Sequence, residues 1–216
     1  MKTTFAVSGQ HYLFDVQVFA HTILAMGGES YHYALRDRTT RGVIKDVAAG
    51  KSELGVLMMT AATRPVLEEA LEERGLVFTP VAEGAPCVAL PNSHPLSNAK
   101  QLYLDDLSDW PYLYFEQEED APAAFFEECF GDVPRSKSIA LTDRASLSEL
   151  AAAVNGYTIT SGILVGIADG GSLTTVPLES NARITLGYIA KKDVEMDLAS
   201  QRFVDILAKQ LERYMR

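Results

Sequence analysis

Three features of the 216-residue sequence predict an α/β protein built as two lobes. Apolar strand-like runs alternate with helical stretches of about ten residues along the chain, a pattern that needs crossover connections and parallel sheets. The length allows two small cores, each with its own hydrophobic interior. A turn-rich stretch, Pro91-Asn-Ser-His-Pro95, breaks the alternation where neither helix nor sheet would continue, and the first crossing between lobes is expected there.

The elements of the first lobe follow in order. Phe5–Val7 is a short apolar strand that stops at Ser8-Gly9, and His11–Met26 has helical spacing up to Gly27-Gly28. Tyr31–Leu35 is a second strand. Thr39 or Thr40 caps a helix that turns Val43 and Val47 inward and ends at Gly50. Leu54–Met58 is an apolar strand, Pro65 opens a helix that Gly75 closes, and Leu76–Val81 and Pro86–Leu90 are two further strands.

The second lobe repeats the pattern. Tyr112–Phe115 is a strand, Ala123–Phe130 a helix, Ser138–Leu141 a strand and Ser146–Val154 a helix. Tyr157–Thr160 and Leu173–Val176 are strands on either side of a short helical piece, Leu164–Ala168. Arg183–Ala190 is strand-like, and Leu198–Met215 is a helix with Phe203, Leu207 and Leu211 spaced by four. Lobe I thus comprises residues 1–91 and 182–216, and lobe II residues 92–181.

Composition narrows the function. A formal net charge of -10 repels phosphate backbones, so the chain itself does not grip nucleic acid. With 47% hydrophobic and 22% charged residues and no eighteen-residue apolar run, it is expected to be globular and not to span a membrane. The N-terminal stretch has no apolar export signal, which favours the cytoplasm. Cys87 and Cys129 lie far apart outside any CxxC or Cys/His cluster, and no metal or cofactor site is expected. The acidic run from Glu116 to Asp120 lacks the spacing of a calcium loop and reads as a solvated loop.

The first helix carries more apolar residues than one core stripe needs. Leu13, Val16, Ala20, Ile23 and Leu24 form a broad face, assigned to the core. Phe14, Val18 and Ala25 form a narrower second stripe, for which either a neighbouring element or a subunit interface is allowed.

The order of these segments resembles the effector-binding domain of LysR-type transcriptional regulators. Leu35–Val56 is similar to that family's strand, helix and "G-x-x-D-L/I-G/A" strand, with Glu53 where aspartate is usual. Val88–Leu96 is similar to its proline, "HPL" and crossover, and Leu104–Leu113 to its "L-x-D-L-x-x-x-P-x-I" entry into the second lobe. Leu147–Val154 with Asn155-Gly156 stands where a "V-A-A-G-x-G-I" helix end is usual. The resemblance implies a type 2 periplasmic-binding-protein-like fold, two Rossmann-like lobes joined by two crossover strands with the effector between them. It also implies pairing through the first helix, which favours Phe14, Val18 and Ala25 as a homodimer or higher homo-oligomer interface. DNA would be met only through a helix-turn-helix half that does not form part of this sequence. The hydroxyl-rich segment Tyr157–Gly162 departs from the family's apolar strand and proline.

In open α/β lobes, ligands sit beyond the carboxyl ends of strands, where helix starts offer free N–H groups. Ser8, Gly9 and Gln10, then Thr39 and Thr40, then Thr142 and Asp143 stand at such starts. These residues are also ordinary helix caps, but the resemblance implies a small anionic metabolite held there, with Arg36, Arg38, Arg41 or Arg144 as a pairing cation. Met58, Met59 and Phe115 supply a soft wall, Met59 being the methionine taken for the site. His11 reads as a helix-surface residue and His94 as a turn residue. No catalytic motif such as G-x-S-x-G or H-E-x-x-H occurs, so sensing is expected and catalysis is not. A transporter's solute-binding protein or an enzyme on the same fold are the alternatives.

Overall fold

The computed structural model describes residues 3–165 and 171–215 and divides their strands among a five-stranded, a three-stranded and a two-stranded sheet. In the first, β1 (Thr3–Gly9) lies between β2 (Tyr31–Asp37) and β3 (Leu54–Thr60), all parallel, with α1 (Leu13–Met26) and α2 (Thr40–Ala48) as the crossovers. After α3 (Arg64–Glu72) the chain enters β4 (Leu76–Gly84), the edge of the sheet order β2-β1-β3-β10-β4. The strand inserted next to it, β10 (Ile184–Lys191), runs antiparallel to both neighbours, so the sheet is mixed rather than all parallel. Its direction follows from its entry: β10 returns from the other sheet instead of leaving a crossover helix.

The second sheet begins with β5 (Cys87–Pro91), which pairs antiparallel with β8 (Thr158–Thr160) and β9 (Leu173–Pro177). The parallel pair β6 (Tyr112–Phe115) and β7 (Ser138–Leu141) joins it through a bridge between Tyr112 and Tyr157, and α4 (Arg144–Val154) follows β7. The strand before Pro91 therefore belongs to the second sheet. The first crossing lies at Ala85-Pro86, between β4 and β5, and not at the turns after Pro91. Those turns instead lead from β5 towards a 3-10 turn at Leu104–Leu107. The chain changes sheet again between Pro177 and Ile184.

Two further expectations change. The stretch expected as a helix over 123–130 makes only one 3-10 turn, Ala123–Phe125, and then bends at Glu127 and Glu128 and turns from Cys129. The bend lets Glu127 reach His11, just before α1, while Glu128 bonds β6. Of the short helical piece expected at Leu164–Ala168, Leu164 and Val165 have no regular structure and the remainder lies outside the described residues.

The largest apolar cluster spans both lobes, from Phe5, Phe14 and Phe203 to Leu102, Tyr112 and Tyr157. Within it α1 packs between β1 and α5 (Leu198–Tyr214), with Phe5 stacked on Phe19 at 5.9 Å and 6.0 Å from Phe203. The inner face of α1 is therefore Phe14, Val18 and Phe19, with Thr22 bonding back to the Val18 carbonyl. The assignment by stripe width is reversed. Phe14 and Val18 are core residues, Ala25 is exposed, and the broad stripe leaves Val16, Ala20 and Leu24 facing outward, Leu24 at 78%. Aromatic bulk decides the packing here, because Phe5 and Phe203 form a wall that large side chains fill better than small ones.

Candidate functional site

A cavity of about 70 Å³ lies between the two lobes. Phe14 and Met58 line it from the first lobe, and Phe115, Leu147, Ile159 and Leu173 from the second. Met58 reaches it because β3 alternates faces. Met59, one residue on, is fully buried in the other core cluster beside Val43 and Leu57, so the expected wall is its neighbour. Thr158, Thr160 and Ser161, the hydroxyl-rich departure noted in the sequence, also face the cavity.

The helix starts expected to receive an anion are close by, and the chain satisfies them itself. Ser8 is fully buried; its Oγ donates to Asp46 at 3.0 Å and lies 2.9 Å from Ser52 Oγ. Gly9 sits so near Asp15 that a Cβ there would fall 2.2 Å from Oδ2. Gln10 donates to Thr40 Oγ1 and accepts from the Met58 N–H at 2.8 Å. Thr39 caps α2 by accepting from Gly42 N at 3.1 Å and donates to Glu118 at 2.8 Å. The Thr40 N–H donates to Gln117 Oε1 at 3.0 Å and its hydroxyl to the Phe125 carbonyl at 2.7 Å. Thr142 and Asp143 are exposed, and Asp143 caps α4 through Ser146 N at 3.0 Å. None of these seven residues is among those lining the cavity.

The arginines are equally engaged. Arg36 donates to Ser52, Arg38 pairs with Asp46 at 3.0 Å, and Arg41 with Asp120 at 2.6 Å. Arg144 does line the cavity, yet its guanidinium pairs with Asp37 and donates to the Tyr12 carbonyl.

A segment of lobe II thus acts as a strap across the cleft. Gln117, Glu118 and Asp120 reach α2, Phe125 enters the lobe I core beneath the Arg41 guanidinium at 5.9 Å, and Glu127 reaches α1. The acidic run expected as a solvated loop is therefore an inter-lobe contact, although Glu116, Glu119 and Asp120 stay exposed. His11 is not a surface residue. Its ring stacks on Phe115 at 4.1 Å, and Glu127 accepts from its backbone N–H at 2.9 Å with Nδ1 also 2.9 Å away.

Burial leaves two acids without enough partners. Asp15 is 1% exposed, and neither of its carboxylate oxygens has a hydrogen-bond partner among the described residues. Desolvation pushes its pKa well up, Arg144 opposes the shift, and Asp37 and Glu127 add to it. Glu128 lines the cavity and accepts from the Phe115 N–H at 2.8 Å through Oε1, while Oε2 is without a partner among the described residues. Burial first, and then Glu127 beside it, raise its pKa well above the usual carboxylate range.

With the two-lobed architecture and the inter-lobe cavity in place, comparison with known proteins is decisive: the model of the LysR substrate binding domain matches residues 32–212. The chain belongs to the LysR substrate-binding-domain family. Solved structures agree in fold. HinK, a LysR family transcriptional regulator from Pseudomonas aeruginosa, superposes with a TM-score of 0.64 at 15% identity, covering 97% of this chain and 71% of that one. The effector binding domain of QuiR, in complex with shikimate, gives 0.64 at 13% identity with 100% of both chains covered. The reduced OxyR regulatory domain from Pseudomonas aeruginosa gives 0.66 at 11% identity, covering 96% and 98%. No curated protein sequence matches the chain. This LysR substrate-binding domain has the type 2 periplasmic-binding-protein-like arrangement, and among its described residues no His/Cys/Asp/Glu group is placed to hold a metal and no helix is long and apolar enough to cross a membrane.

Sequence reasoning named the neighbourhood of the cleft but missed Glu127, Glu128 and Tyr12. The only signal for them was the adjacent pair of glutamates in a stretch read as helix, where neighbouring residues do not face one another.

Proposed function

We propose that this domain binds a small-molecule effector in the inter-lobe cavity and converts binding into a change of lobe arrangement that a DNA-binding half reads. The observation that carries this reading is the lining itself: Phe14 and Met58 from one lobe meet Phe115, Leu147 and Ile159 from the other. A ligand touching both walls is bound more tightly when the lobes are closed, and that differential affinity is what an allosteric effector requires. QuiR, whose effector binding domain was solved with shikimate, supports the reading. The domain acts by binding without turnover, in the cytoplasm, where DNA is reached through a helix-turn-helix half of the same regulator.

An anionic effector at the helix starts is a narrower reading. It requires Gln117 and Glu127 to leave the N–H groups of Thr40 and His11, since both donors are already used. Pairing of two copies through α1 uses the outward stripe of Val16, Ala20 and Leu24, together with Ala25 of the expected interface, because Phe14 and Val18 are inside.

Thermal-shift screening of small metabolites, followed by calorimetry on the unmodified chain and on Thr160→Trp, tests the proposal. Hits should bind the unmodified domain and lose at least roughly tenfold in affinity when the indole fills the cavity. Unchanged affinity in Thr160→Trp, or conversion of the hit into a product, would overturn it.

A further inference from the structure

We infer that the effector is a small apolar amine whose ammonium group is received by Glu128 at the wall of the inter-lobe cavity. The inference rests on the effector-binding reading above and adds the chemistry of the ligand.

Three observations converge on it. Donors that would hold an anion are occupied by the chain's own acceptors: Gln117 Oε1 on the Thr40 N–H, Glu118 on the Thr39 hydroxyl, and the Glu127 carboxylate on the His11 N–H. An incoming carboxylate would meet Glu127 and Glu128 in the wall and Asp15 behind it. Two neighbouring acids and a ligand carboxylate cannot all ionise together in one dry site.

Two basic side chains on the cavity wall, Arg144 and His11, are already engaged. Arg144 is held by Asp37 and the Tyr12 carbonyl, and His11 faces Glu127. Arg135, which acts on Glu128 but is not among the residues lining the cavity, donates through Nη1 to the Phe130 and Val133 carbonyls and lies over the Tyr112 ring at 4.3 Å, its Nη2 having no partner among the described residues. Glu128, only 6% exposed, keeps Oε2 without a hydrogen-bond partner among the described residues, as does Asp15 with both oxygens. Two buried acids short of positive charge are both driven upward in pKa by burial. A ligand ammonium favours the ionised form of Glu128, which releases its proton, and donates to the carboxylate oxygen that has no partner among the described residues.

The rest of the lining sets the body of the molecule. Leu147, Ile159, Ile163 and Leu173 are apolar, and a cavity of about 70 Å³ has room for roughly five water-sized groups. That corresponds to a chain of roughly four to six carbons.

Calorimetry with three probes of one shape, isoamylamine, isoamyl alcohol and isovalerate, tests the inference on the intact chain. The amine should bind at least roughly tenfold tighter than the alcohol, with isovalerate weakest. In Glu128→Gln, which keeps an acceptor for the Phe115 N–H, the preference for amine over alcohol should collapse to within roughly threefold, the amine losing more affinity than the alcohol. Isovalerate binding tightest, or an amine preference unchanged in Glu128→Gln, would overturn the amine assignment and leave the cavity as the effector site. No heat from any of the three would remove the cavity reading as well.

Discussion

Glu127 and His11 join the two lobes: the carboxylate from the strap accepts from the His11 backbone N–H at 2.9 Å, and the imidazole Nδ1 lies 2.9 Å from its other oxygen. Both side chains are almost fully buried, His11 at 5% and Glu127 at 2%. Truncation would leave the N–H at the start of α1 unsatisfied and cut a lobe–lobe tie. Glu127→Ala should therefore lower unfolding free energy by about 3 kcal/mol, and Glu127→Gln, which keeps an acceptor, by about 1 kcal/mol. Urea melts of the two variants check this, and equal losses would show that the carboxylate is not the tie.

Asp15 and Glu128 set a pH dependence. Their folded pKa values are raised, mainly by desolvation, so the folded chain holds these protons more tightly than the unfolded chain does. Their stabilising contribution is complete below the ordinary carboxylate range and is lost as pH rises through the folded values. Asp15→Asn, which cannot ionise, should be more stable than the unmodified chain by about 1–3 kcal/mol at neutral pH, with the difference closing towards about pH 4. Chemical denaturation across that range would show the two curves converging; a constant offset would contradict the assignment.

Gly187 and Gly75 should both lose stability on substitution by alanine, but to different extents. A Cβ at Gly187 would fall 2.3 Å from the Thr79 carbonyl oxygen, at the register shift between β10 and β4, where the obstacle is backbone. At Gly75, after α3, nothing lies within 4 Å and only the positive φ of 65° opposes a side chain. Gly187→Ala should cost about 2–4 kcal/mol and Gly75→Ala about 1 kcal/mol, read from thermal midpoints.

The outward stripe of α1 separates assembly from folding. Leu24→Glu should shift a dimer to monomer in sedimentation velocity with the melting temperature of the monomer intact. Val18→Glu, at a fully buried position, should fail to fold. A Leu24→Glu variant that stays dimeric would move the interface elsewhere.

The stripes on α1 also show where sequence legibility ends. Periodicity found both apolar faces, but only the aromatic wall of Phe5 and Phe203 decides that Phe14 and Val18, with fewer apolar companions, go inside. Met59 fails for the same kind of reason: the strand was legible, and its phase relative to the cavity depends on which sheet face the other lobe covers. Thr39 and Asp143 were read correctly as residues at helix starts, and as caps they are what the sequence alone supports.

What the sequence determined is what local chemistry can carry: alternating strands and helices, their capping residues, the two-lobed α/β class and, through ordered motifs, the LysR family. The tertiary structure decided the rest. The Gln10 amide and the N–H groups of His11 and Thr40 met acceptors 30 to 116 residues away on Thr40, Glu127 and Gln117, and two glutamates in a stretch with helical composition were drawn into a bent strap. Buried N–H groups must find acceptors and buried carboxylates must find charge, and which group meets that need depends on distances across the cleft that no local pattern encodes.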